Sequence, residues 1–209
     1  MMACSYIEID DVFLRTSDDC IAIYGTRWDY AGDTRFVTVR NSVFWADVAH
    51  PLMIGTHGDH RNEGDLIEDV LFENIDILEH HEPQPNYMGA MAINAGDKNT
   101  VRRVVYRNIR VEDFELGRLV DIRVIWNKDY NPVPGRRIED IRFEGIIYHG
   151  ANRIASQIFG FDGERTVSGV HFCGLQINGE EIVDPEKGNF EINGFASEIT
   201  FSRMQGEES

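Results

Sequence analysis

One short pattern recurs along this chain, and its spacing restricts the fold more than any other feature. The pattern is apolar, any, apolar, any, then Asn, Asp or Gly, followed by further alternating apolar residues. Copies start at Ile7 (IEIDDVFL), Val37 (VTVRNSVFW), Val70 (VLFENIDIL), Val104 (VVYRNIRV), Ile141 (IRFEGIIY) and Val170 (VHFCGLQI), so successive starts lie 30, 33, 34, 37 and 29 residues apart. The fifth residue of each copy is Asp11, Asn41, Asn74, Asn108, Gly145 or Gly174. Alternation with a period of two reads as β-strand. Asn, Asp and Gly tolerate a left-handed backbone, so each copy reads as two short strands joined by a bend. Stacked bends imply a ladder of side-chain amides.

A strand-rich repeat of this length without a helical period fits a parallel β-solenoid. No segment sustains apolar residues at i, i+3 and i+4, which disfavours helical repeats. The leucine spacing of leucine-rich repeats is absent, and a propeller blade needs about 40–45 residues. A sandwich would show turn signals about every 8–12 residues. The expectation is an all-β, right-handed parallel β-helix of about six coils. It forms one domain over residues 1–209, expected to be the C-terminal part of a longer solenoid, with 183–209 as a C-terminal cap or partial coil. Each copy is followed by a second apolar piece: CIAIYG from Cys20, PLMIGT from Pro51, AMAINA from Ala90, LVDIRVIW from Leu119 and ASQIFGF from Ala155. These pieces are expected to stack into one sheet. Longer loops beside them, rich in Gly, Pro, Asp, His and aromatics, are expected to gather on one binding face.

Composition narrows the partners. With 20 Lys+Arg against 36 Asp+Glu, the formal charge is −16, which argues against nucleic acid and anionic membranes. No apolar run reaches the length of a membrane span. Cys4, Cys20 and Cys173 show no metal-ligand spacing and read as small buried hydrophobes. MMACSYIEID has neither a basic nor an apolar leader region. The chain is therefore expected to be cytoplasmic, or secreted or periplasmic if a native N-terminus has been removed. An uncapped first coil is a candidate surface for self-association.

The sharpest chemical feature is Thr16-Ser17-Asp18-Asp19-Cys20-Ile21-Ala22-Ile23. Neighbouring carboxylates resist joint ionisation, which separates their proton affinities as acid–base chemistry requires. TSDDCIAI on a β-helix coil resembles the polygalacturonase-type glycoside hydrolases of family 28, within the pectin-lyase-like β-helices. In the next coil, Ala49-His50-Pro51-Leu52-Met53-Ile54-Gly55 is similar to that family's histidine-bearing strand, with His50 in the histidine's place. The resemblance implies a glycosidase acting by inversion. It makes Asp18 the proton donor, Asp19 a residue that helps activate water on the opposite face, and His50 the residue that tunes or positions the acid. Inverting enzymes hold the two carboxyls about 6.5–9.5 Å apart.

The sequence also departs from that family. The coil that carries a third aspartate in an N-T-D segment would lie upstream of Met1. The strand expected to carry Arg-x-Lys reads Gly89-Ala90-Met91-Ala92-Ile93-Asn94 instead. A substrate other than strict polygalacturonate is therefore expected, with Arg123 and Lys128 as displaced cationic contacts. Trp28 and Tyr30, in the loop after the aspartates, are the leading candidates for stacking on sugar rings. Trp45, Tyr87, Trp126 and Tyr130 lie near the same face, and His57 is a further binding candidate. His57, His60, His80 and His81, beside Asp59 and Glu82, read as solvated loop histidines rather than a metal site, and no cofactor is expected. The leading expectation is a glycoside hydrolase with a carbohydrate substrate. The alternative is a non-catalytic carbohydrate-binding or structural β-helix.

Overall fold

The computed structural model describes residues 1–204, all strand, turn or irregular chain. The strands are β1 (Ser5–Asp10), β2 (Phe13–Thr16), β3 (Ile21–Ile23), β4 (Thr34–Ala46), β5 (Leu52–Gly55), β6 (Leu66–Glu79), β7 (Gly89–Ala95), β8 (Thr100–Val111) and β9 (Arg118–Val124). They continue as β10 (Arg137–Glu144), β11 (Ile147–Tyr148), β12 (Ser156–Phe159), β13 (Val167–Cys173), β14 (Leu175–Ile177), β15 (Glu180–Ile182), β16 (Phe190–Ile192) and β17 (Ala196–Ser202). One sheet runs β1-β4-β6-β8-β10-β13-β17 and the second runs β3-β5-β7-β9-β12-β16. The chain alternates between them, making a parallel β-solenoid of about six turns.

The repeat supplies the first sheet and the apolar pieces between copies supply the second. All six fifth-position residues lie at left-handed φ, from 52° at Asn41 and Asn108 to 69° at Gly174. The side-chain ladder is shorter than the column of bends. Asn74 Nδ2 donates to Asn41 Oδ1 at 2.7 Å, but Asn41 donates to Asp10 rather than Asp11, at 2.8 Å. Arg110 Nη1 bonds Asn74 Oδ1 at 3.0 Å in the place expected for Asn108. These amides are exposed, not buried.

A second left-handed column precedes the first by five residues in every copy: Tyr6, Phe36, Asp69, Arg103, Asp140 and Gly169, with φ from 53° to 65°. The two columns divide the long strands into three straight pieces. Between them the interior rungs stack in register, Val37 on Val70 on Val104 on Ile141 on Val170. One rung further, Phe72, Tyr106, Phe143, Phe172 and Phe201 form a pile of rings 4.5–5.0 Å apart. The Tyr106 hydroxyl is buried within this pile without a hydrogen-bond partner among the described residues. Opposite it, Ile23, Ile54, Ile93, Ile122, Ile158 and Ile192 stack along the second sheet. Burial of these columns is the main stabilising term.

Three other expectations are corrected. Cys4, Cys20 and Cys173 are free but only half-buried, because each lies beside a bend or corner rather than on an interior rung. Asn178 and Gly179, both at positive φ, close an antiparallel hairpin of β14 and β15 that interrupts the parallel pattern. An Asn-Gly pair is a strong hairpin signal. Trp45 lies on β4 of the first sheet under the Arg15 guanidinium, 4.9 Å from its ring, and lines no described cavity.

Candidate functional site

The second sheet's outer surface is the floor of the site. Its outward rungs, Ala22 on Met53 on Ala92 on Asp121, are covered in part by the 80–88 loop that joins β6 to β7. That loop is pinned on both sides: Ala49 N–H donates to the His81 carbonyl at 2.8 Å, and Glu82 N–H to the Leu116 carbonyl at 2.9 Å.

Asp18 and Asp19 occupy the corner between β2 and β3. The bonds Cys20 N–H to His50 O (2.9 Å) and Ile21 N–H to Pro51 O (3.1 Å) clamp that corner onto the next turn. Asp19 Oδ1 accepts the His50 backbone N–H at 3.1 Å and faces His50 Nδ1 at 2.8 Å. Its Oδ2 accepts the Tyr24 hydroxyl at 3.0 Å. Burial raises the Asp19 carboxyl, but the His50 and Tyr24 bonds outweigh it and hold the group below the usual carboxylate range. His50 is fully buried, and its Nε2 sits 2.9 Å from the Tyr87 carbonyl, which can only accept. The ring is held between the Asp19 carboxylate and the Tyr87 carbonyl.

A cavity of about 520 Å³ opens above this pair. Asp18, Asp19, Tyr24, Arg27, His57, Glu82, Gln84, Tyr87 and Tyr130 line it, whereas His50 lies behind Asp19 and does not. Two further cavities adjoin. One, about 700 Å³, shares Gln84, Tyr87 and Tyr130 with it and adds Arg123, Trp126, Lys128 and Phe161. The other, about 400 Å³, shares Arg27, His57 and Tyr130 with it and adds Trp28 and Asp59. Tyr130 is common to all three, which makes them one groove.

At the two ends of the groove a cation lies on a tryptophan. Arg27 stacks between Trp28 (4.4 Å) and Tyr24 (5.0 Å), and Lys128 over Trp126 (4.9 Å). Among the described residues neither cation has a carboxylate within ion-pair distance. Arg123 differs: its Nε is 2.8 Å from Asp121 Oδ1, and both side chains are buried. Tyr30, exposed in the hairpin closed by Arg27, lines none of these cavities. His57 packs edge-on to Tyr24 at 5.0 Å. Burial and Arg27 pull its imidazole down to about 4, against the pull of Asp19.

His80 corrects an expectation. It is fully buried, not solvated, because the loop folds it inward between the Ala49 and Met88 carbonyls at 2.9 and 2.7 Å. A side chain at position 117 would overlap its Nε2, so only glycine fits there. Burial, with His50 adding, draws His80 down to about 3 against the pull of the two carbonyls.

Tyr24, Arg27 and Glu82 are the site residues that no motif marked. Each reaches the cavity through the stacking of turns, which no local pattern encodes. No protein-family model matches the chain, and no curated protein matches it.

Proposed function

We propose that this groove binds a carbohydrate and hydrolyses a glycosidic bond with inversion, at the cavity above Asp18 and Asp19. The observation that carries the reading is the Asp19–His50–Tyr24 cluster. It holds a carboxylate ionised and fixed at the floor of an aromatic-walled cavity, a charge placed to orient the attacking water and stabilise the positive charge that develops on the sugar. Asp18 lines the same cavity, exposed, with one oxygen accepting the Asp19 N–H at 2.9 Å. The resemblance of TSDDCIAI to family 28 gives Asp18 the donor's part. The tryptophan platforms at the groove ends suit the apolar faces of sugar rings.

The same platforms support a second reading, a module that binds saccharide without cleaving it. A reducing-sugar screen over a panel of polysaccharides, run with calorimetry, tests both. Release of reducing ends that stops in Asp19→Asn supports hydrolysis. Saccharide binding without release supports the module, and neither would overturn the carbohydrate assignment.

A further inference from the structure

We infer that Glu82, from the loop of a different turn, is the proton donor to the leaving oxygen of the glycoside. This rests on the hydrolytic reading above and reassigns the acid that the sequence resemblance gives to Asp18.

Glu82 is 4% exposed and lines the same cavity as Asp18 and Asp19. Gln84 N–H donates to its Oε1 at 2.8 Å, and Gln84 Nε2 in turn donates to the Tyr130 hydroxyl at 2.7 Å, which braces this stretch of the loop. No described residue donates to Oε2, and no described Lys or Arg lies within ion-pair distance. A carboxyl buried this way, with one free oxygen at a cavity wall, is costly as an anion and favoured as the neutral acid. Burial pushes Glu82 above the usual carboxyl range and Asp19 adds to the rise; the Gln84 amide, His50 and His81 oppose it. Asp19 is displaced the other way. Two carboxyls in one cavity with opposite displacements mark an acid and a base.

The step balances without a co-reactant. Glu82 gives its proton to the glycosidic oxygen as the bond from the anomeric carbon to that oxygen breaks. Water adds to the opposite face of that carbon and passes a proton to the Asp18–Asp19 carboxylates. Exchange with solvent returns a proton to Glu82.

The test is Glu82→Gln, which keeps an acceptor for the Gln84 N–H. It is assayed on the glycoside that the wild type cleaves fastest and on the 2,4-dinitrophenyl glycoside of the same sugar. Dinitrophenolate leaves without a proton. The expected result is a loss of about 10²–10⁴-fold on the first, a loss of under about tenfold on the second, and disappearance of the alkaline limb of kcat/KM. Glu82→Asp, which restores a titrating carboxyl, is expected to recover that limb. Equal losses on both substrates, or undiminished hydrolysis of the first, overturn the role of Glu82 while leaving hydrolysis standing. A wild type that cleaves neither substrate overturns the hydrolytic reading and this assignment together.

Discussion

The His50 ring and backbone N–H both converge on one oxygen of Asp19, at 2.8 and 3.1 Å, across a sequence separation of 31 residues. The contact joins consecutive turns, so it is part of the fold as well as of the site. Replacing Asp19 by Asn takes away the carboxylate that faces the buried His50 ring and accepts its backbone N–H. The expected cost is about 1–3 kcal/mol, read as a lower urea midpoint at unchanged m-value. A midpoint equal to wild type would show that His50 does not depend on the carboxylate.

The histidines set an acid limit on stability. His57 and His80 are drawn down from 6.5 to about 4 and about 3. Between those values and 6.5 the unfolded chain binds protons that the folded chain refuses, so their contribution is full above pH 6.5 and is lost as pH falls toward 4 and then 3. Asp19, with a lowered carboxyl, keeps its own contribution above 3.8 and loses it as pH falls through its lowered folded value. Glu82 has the reverse sign: its raised carboxyl favours the fold at low pH and loses that contribution as pH rises through its folded value. In a pH series of urea midpoints, His57→Gln should lose less stability than wild type between pH 6.5 and 4. Parallel curves would refute the assignment to His57.

Asn74 tests the bends. It is exposed, so its worth comes from the left-handed backbone at φ 53° more than from buried partners. Asn74→Leu should destabilise by about 1–2 kcal/mol, and Asn74→Gly by much less. Equal melting temperatures for the two variants would mean that the bend imposes no strain.

Tyr106→Phe removes a hydroxyl that is buried without a partner among the described residues while keeping the ring in the pile. An unsatisfied buried donor costs about 1–3 kcal/mol, so this variant should melt higher than wild type. A lower melting temperature would mean that the hydroxyl has a partner in solution.

The first column of bends was legible because Asp, Asn and Gly advertise the conformation they adopt. The second was not. Tyr6, Phe36 and Arg103 have no preference for positive φ, and the stacking of turns on either side imposes it on them. Phe36 is compensated by its stack on Tyr6 at 4.9 Å, and Arg103 by its bonds to Asp69. The site divides in the same way. Asp18 and Asp19 stand side by side in the sequence and mark themselves. The inward fold of His80 and the arrival of Glu82 depend on the path of a loop between turns, which neither residue type nor spacing encodes. Arg123 was recognised as a cation near the groove, but its ion pair with Asp121, two residues away on the same strand and shared with Arg118, was not anticipated.

The constant interval of five between the two columns of bends acts as a reading frame in space. Turn lengths differ by several residues, and every difference is absorbed in the arcs outside that interval. A residue added in an arc lengthens a loop and leaves all later turns in phase. A residue added inside the interval would shift the following side chains from interior to exterior along that strand, and neighbouring turns would lose step with it. Groove walls can therefore be rewritten by mutation without disturbing the scaffold that carries them.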